Sequence, residues 1–228
     1  MLTRENILSG WLHERLKEHA DAVDILPIEE LDRQRRAFVA TRPCSGDLWV
    51  FGYGSLIWNP CAHVKARRTG QVYGFHRQFC LWTHLGRGTQ ECPGLMLGLE
   101  NGGSVRGVAL CLAEADLDRE LSIIWNREMI TSAYRPHWVR CHTEEGPVNA
   151  LGFVINHQHD RYTGPISEDD IVSALAHASG PIGDCCDYLY NTYDHLQEIG
   201  IEDRMLCRLK RLVEAKRVAI AADAQEKH

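Results

Sequence analysis

Residues 117–128 put a carboxylate where an apolar side chain is expected. Leu117, Leu121, Ile124, Trp125 and Glu128 recur at steps of four, three, one and three, the spacing of one stripe on an α-helix. Such a stripe faces the core, so Glu128 projects from an apolar surface. Desolvation there raises a carboxyl pKa and makes it a proton acceptor suited to neutral pH. Two bland readings stand beside this one, because charged residues are rarely buried unpaired: an ion pair with Arg127 or Arg135, or a place at the rim of the stripe. The second chemical signal is Trp49-Val50-Phe51-Gly52-Tyr53-Gly54-Ser55-Leu56-Ile57-Trp58-Asn59-Pro60. Trp49 to Phe51 read as the end of a buried strand. The two glycines then let a ligand approach the main chain, and a turn of this kind can aim successive N–H groups at an anion. A plain strand-to-loop turn is the alternative.

Familiar glycine motifs do not fit. A dinucleotide fingerprint opening at Gly52 and Gly54 needs a third glycine at position 57, which is Ile57, and no lysine follows at P-loop spacing. A nucleophile elbow around Ser55 needs glycine two residues to either side, where the chain has Tyr53 and Ile57. The turn therefore reads as a cradle rather than a nucleophile mount. Arg87, in Gly86-Arg87-Gly88-Thr89, is placed to offer a cation to a substrate carboxylate, or is an ordinary surface arginine. Tyr188 brings a hydroxyl that can orient a ligand, though helical tyrosines mostly pack their rings. His157-x-His159-Asp160 is the only local histidine cluster; without further ligands at metal spacing it reads as a solvated loop, with no metal expected.

A chain of 228 residues with 44% hydrophobic content supports a substantial core, in one large domain or two small ones. Its net charge of −6 argues against a nucleic-acid partner. No apolar run approaches the roughly 18 residues that span a bilayer, and the charged first 30 residues do not resemble a signal peptide. Nine cysteines without a C-x-x-C pair fit buried free thiols rather than a disulfide framework. The expectation is a soluble, cytoplasmic protein with no membrane association.

The elements that must position these residues follow from periodicity. Helices are expected over 5–20 and 28–40, with Ile7, Leu8, Trp11, Leu12, Arg15 and Leu16 as the apolar stripe of the first. Short strands follow at 48–53, 70–82, 94–99, 105–112, 137–142 and 150–156, interrupted by the helix over 114–129. The chain then turns helical at 168–179, 183–199 and 202–221. Ser167 with Asp170 forms a capping-box-like start, and Gly180-Pro181 and Gly200 separate the helices. Strands first and helices later give an α+β fold class, a small curled or closed sheet with helices around it. It divides into an N-terminal helical extension (1–46) packed on a main domain (47–228).

With these residues in place the chain resembles the ChaC family of γ-glutamylcyclotransferases. The resemblance rests on Phe51-Gly52-Tyr53-Gly54-Ser55-Leu56-Ile57-Trp58, Gly74-Phe75-His76-Arg77-x-Phe79-Cys80, Arg87-Gly88-Thr89 running into Pro93-Gly94, Trp125-x-Arg127-Glu128-Met129, Tyr134-x-Pro136, and Tyr188-Leu189 before Gly200-Ile201-x-Asp203. It spans about residues 48–212; the N-terminal helices lie outside it. It implies a small mixed β-barrel-like sheet with surrounding helices, γ-glutamylcyclotransferase-like, that cleaves glutathione to 5-oxoproline and cysteinylglycine without a cofactor. By the same resemblance Glu128 is the catalytic acid/base, Tyr53, Gly54, Ser55 and Leu56 hold the γ-glutamyl group, and Tyr188 and, more weakly, Arg87 bind substrate. Cyclotransfer on other γ-glutamyl amino acids or amines is a competing expectation. So is a non-catalytic regulator associated with cation transport. The oligomeric state is not legible.

Overall fold

The computed structural model describes residues 2–17 and 24–226. The chain divides into two compact units: one takes Leu2–Gln78 and Gly98–Tyr162, the other Phe79–Leu97 and the chain from Thr163 onward. Five strands, β1 (Leu48–Gly52), β2 (Ala66–Thr83), β3 (Gly94–Leu112), β4 (Tyr134–Thr143) and β5 (Gly146–Ile155), close into a barrel in the order β1-β3-β2-β4-β5, with β3 also meeting β5. The sheet is mixed, as expected: β1 runs antiparallel to β3, with Gly52 opposite Val108, and parallel to β5. The expected strands 94–99 and 105–112 are one continuous strand. Gly102 and Gly103, both with positive φ, lie within it.

The barrel core is apolar. Val50, Phe51, Leu99, Leu110, Leu112, Leu151 and Phe153 are all buried, each at 0% exposure. Two glycines on these strands permit close approach. A methyl group at Gly107 would lie 2.4 Å from the Gly52 carbonyl oxygen and 2.8 Å from the Phe51 ring. A methyl group at Gly70 would lie 2.5 Å from the Cys141 sulfur.

The first expected helix is broken in two, α1 (Arg4–Leu8) and α2 (Trp11–Lys17), by Gly10 at φ +75; its expected residues 18–20 lie outside the described ones. The break resets the helical phase. Ile7 and His13 are buried instead of a continuous stripe, and Leu8 and Trp11 are exposed. α3 (Ile28–Val39) and α1 both pack on α4 (Leu117–Glu128), which a single 3₁₀ turn introduces at Glu114–Asp116. Phe38 of α3 stacks on Trp138 and meets Trp125 of α4.

In the other unit, α5 (Glu168–His177), α6 (Cys185–Glu198) and α7 (Arg204–Glu226) pack on one another. A two-residue ladder, β6 (Ser179–Gly180) with β7 (Gly183–Asp184), precedes α6. Ser167 caps α5 by accepting from the Asp170 amide at 3.1 Å. Asp170 accepts from the Ser167 hydroxyl at 2.6 Å, rather than completing a box on the backbone. α6 ends where Gly200 takes φ +72 and Ile201 donates back to the Leu196 carbonyl at 2.8 Å, the left-handed cap that glycine makes cheap. All nine cysteines are free thiols, and Cys80, Cys111, Cys141, Cys185 and Cys186 are buried.

Gly107 sets the height at which β1 delivers its glycine turn. We expect Gly107→Ala to cost about 1–3 kcal/mol through overpacking, read as a lower urea midpoint. An unchanged midpoint would show that β1 can yield at Gly52 without loss.

Candidate functional site

β1 ends at Gly52, and the chain turns at once. Ile57 donates to the Gly54 carbonyl at 2.9 Å and Asn59 to the Ser55 carbonyl at 2.8 Å. Among the described residues, no protein acceptor takes the amides of Gly54, Ser55 and Leu56. The turn is pinned on either side. The Tyr53 hydroxyl donates to the Phe153 carbonyl on β5 at 2.8 Å, and Arg77 Nε on β2 donates to the Tyr53 carbonyl at 2.6 Å. Arg77 is buried and also donates from Nη2 to the Arg106 carbonyl at 2.8 Å. Its place in an otherwise alternating strand was a signal that the sequence reading passed over.

Glu128 is the last residue of α4, and the stripe below it is as buried as its spacing requires: Leu121, Ile124 and Trp125 are at 0% exposure. The Glu128 side chain is 14% exposed, and its Oε1 is shut off from water with no hydrogen-bond partner. Arg127 Nε stands 3.1 Å from that oxygen, within ion-pair range but not aligned as a hydrogen bond. The opposing effects are therefore unequal. Burial pushes the Glu128 carboxyl up, and the neighbouring guanidinium pulls it back only in part. Of the alternatives left open by the sequence, the pairing with Arg127 is present, yet it does not neutralise the cost of burial.

Arg127 joins the acid to the turn. Its Nη2 donates to the Ser55 hydroxyl at 2.5 Å, and its Nη1 donates to the Asn59 carbonyl. One planar fork therefore reaches the cradle, the chain leaving it and the acid. Tyr53, Gly54, Ser55, Leu56 and Glu128 thus belong to one compact unit, with Ser55 tied to Arg127 beside Glu128.

Arg87 and Tyr188 lie in the other unit. Arg87 is neither a surface arginine nor a free cation: it is 8% exposed, and its Nη1 donates to the Asp184 carbonyl at 2.6 Å, with Asp187 4.0 Å away. It fastens the 86–88 loop to the start of α6. That loop is packed so closely that a methyl group at Gly180 would lie 2.3 Å from the Gly86 carbonyl oxygen. Tyr188, on α6, is buried with its ring edge-on to Phe79 at 6.2 Å. The histidine cluster is committed elsewhere. His157 Nε2 meets Glu100 at 2.7 Å, and the two ring nitrogens of His159 bond the Thr131 carbonyl and the Arg161 amide.

The family model described as ChaC-like protein matches residues 48–216. The chain is 42% identical over 168 residues to a glutathione-specific gamma-glutamylcyclotransferase of Escherichia coli strain K12, covering 73% of each sequence. It is 30% identical over 158 residues to glutathione-specific gamma-glutamylcyclotransferase 1 of Homo sapiens, covering 67% of this chain and 71% of that one. The crystal structure of a yeast γ-glutamyl cyclotransferase specific to glutathione superposes with a TM-score of 0.69 at 21% identity, over 76% of this chain and 98% of the other. That last likeness is one of fold. No helix among the described residues is long and apolar enough to cross a membrane.

The raised Glu128 carboxyl has a thermodynamic signature. Below the ordinary glutamate pKa of about 4.3 the group is protonated folded or unfolded and contributes nothing to pH dependence. As pH climbs, the unfolded chain releases the proton first, so stability is lost up to and through the folded-state pKa. Glu128→Gln, which is never charged, should therefore gain thermal stability over the wild type at about pH 8 relative to about pH 4. Parallel melting curves at the two pH values would contradict the burial of a charge here.

Proposed function

The chain belongs to the ChaC family, and we propose that it cleaves glutathione by γ-glutamyl cyclotransfer, releasing 5-oxoproline and cysteinylglycine, with Glu128 as general base and then general acid. The observation that carries this reading is a buried carboxylate oxygen that no protein donor satisfies, tethered through Arg127 to a glycine turn with amides to spare. The substrate class comes from the glutathione specificity of relatives such as the Escherichia coli protein, 42% identical over 73% of this chain.

The chemistry asks for little more. Glu128 takes a proton from the substrate's α-ammonium. The freed nitrogen attacks the γ-carbonyl carbon, and a C–N bond closes the five-membered lactam. The bond from that carbon to the cysteine nitrogen then breaks; the departing amine receives the proton from Glu128, and the second proton shed by the attacking nitrogen leaves the released cysteinylglycine as its ammonium. Nucleophile and electrophile belong to one molecule, so the protein's task is to fold the glutamyl chain into reacting geometry. The amides of Gly54, Ser55 and Leu56, with Tyr53 fixing the turn, hold the γ-glutamyl group. An oxyanion forming at the γ-carbonyl would draw on the same donors, each worth about 3–4 kcal/mol where such donors have been removed. A base whose carboxyl is raised by burial accepts a proton more readily near neutrality than one in water. Tyr188 and Arg87 are assigned to the substrate on the resemblance alone, and Arg87 the more weakly, since its guanidinium is already engaged with Asp184.

The deciding experiment incubates the protein with glutathione and with several γ-glutamyl dipeptides and amines, measuring 5-oxoproline in each. Glutathione should be the preferred source. Preference for another γ-glutamyl compound would move the specificity, and no product from any of them would leave a binding module. Glu128→Gln should bind glutathione with little change while kcat falls by about 10²–10⁴; turnover retained by that variant would remove Glu128 from its role.

A further inference from the structure

The N-terminal helices lie outside the matched residues 48–216, yet they grip the chain directly downstream of the glycine turn. Thr3 and Asn6 form a reciprocal capping box that fixes the five-residue α1, and Ile7 anchors it. Arg4 then reaches α4: its Nη1 and Nη2 donate to Glu120 at 2.5 and 2.6 Å, with the two side chains 13% and 3% exposed. The same arginine donates to the Cys61 carbonyl at 3.3 Å, and Glu120 accepts the His63 amide at 2.7 Å. One step earlier, the Leu2 carbonyl accepts from the Asn59 side chain at 2.9 Å. The backbone carbonyl of that same Asn59 is the acceptor for Arg127. Cys61 is held meanwhile at φ +57, an unfavourable angle for a residue with a side chain, so the path of residues 59–63 is imposed by its neighbours.

We infer that this N-terminal strap is a positioning device for the reaction: Leu2 and Arg4 clamp residues 59–63, and the clamped Asn59 carbonyl holds the Arg127 fork against Ser55 and Glu128. Arg4 touches no reacting atom; it acts through Cys61 and Glu120, as Leu2 acts through Asn59. The inference rests on Glu128 as the base. A plain structural staple predicts loss of stability alone, whereas a positioning clamp predicts loss of turnover even where stability is kept. It also predicts a change in the acid side of the pH profile. Arg127 is the charged neighbour that draws the Glu128 carboxyl down. A fork freed from Asn59 would let that carboxyl rise and move the acid limb of kcat to higher pH.

The test is Arg4→Met with Glu120→Met, which replaces the buried pair by apolar side chains and leaves neither charge stranded, an exchange that buried ion pairs often tolerate. The double variant should melt within about 4 °C of the wild type while kcat for 5-oxoproline release falls about 10-fold, inside the ~10² that an ångström of misplacement costs. Its acid limb should shift upward. Wild-type kcat and acid limb in a well-folded double variant would overturn the clamp. If the double variant melts early, Arg4→Lys decides instead: it keeps a cation for Glu120 but cannot fork to Glu120 and the Cys61 carbonyl together. Wild-type kcat and pH profile there would equally overturn the inference. Glu128→Gln, assayed alongside, separates the two failures. If it turns over normally, the reading of the base falls and the clamp with it; if it is inactive while the strap variants are normal, only the clamp falls.

Discussion

A single guanidinium sets the separation between the glycine turn and the buried acid. Arg127 bonds the Ser55 hydroxyl and the Asn59 carbonyl, and stands 3.1 Å from Glu128. A planar fork with donors at fixed angles can serve three partners at once; an ammonium on a flexible stem could not. The competition at Glu128 follows from the same contact. Were the guanidinium aligned for a full charge-assisted bond, the carboxylate would be stabilised and its basicity lost. Near but misaligned, it leaves burial as the larger effect.

Around that contact the barrel supplies rigidity rather than chemistry. β1 brings the turn to its position, and Gly107 lets β3 pass close behind the Gly52 carbonyl. Arg77 and the Tyr53 hydroxyl then tie the turn's first residue to β2 and β5. The turn is thus held from three strands and from α4, so its amides keep their directions without help from a ligand. Donors fixed in advance need no reorganisation when charge develops near them.

Much of this was legible in the sequence because it is local. The stripe of Leu117, Leu121, Ile124, Trp125 and Glu128 is a matter of helical period, and α4 presents it as read. The strand ahead of Gly52 and the glycine cap at Gly200 are signalled by neighbouring residues. What escaped was non-local or changed phase. Gly10 at φ +75 resets the first helix, so a pattern that looked continuous buries His13 and exposes Trp11. Asn101-Gly102-Gly103-Ser104 reads as a break between two strands, whereas β3 runs through it as one. The partner of Glu120 is Arg4, 116 positions away, which no local pattern signals. Arg87 looked free because its acceptor is a backbone carbonyl 97 positions later.

The buried cysteines acquire a meaning if the substrate is itself a thiol. Burial pushes Cys141 and Cys185 up to about 11 and raises Cys111 and Cys186 as well. Exchange with a disulfide requires a thiolate, and these sulfurs hold their protons far above neutral pH. At neutral pH those four positions therefore offer little thiolate for exchange with a thiol substrate or its disulfide.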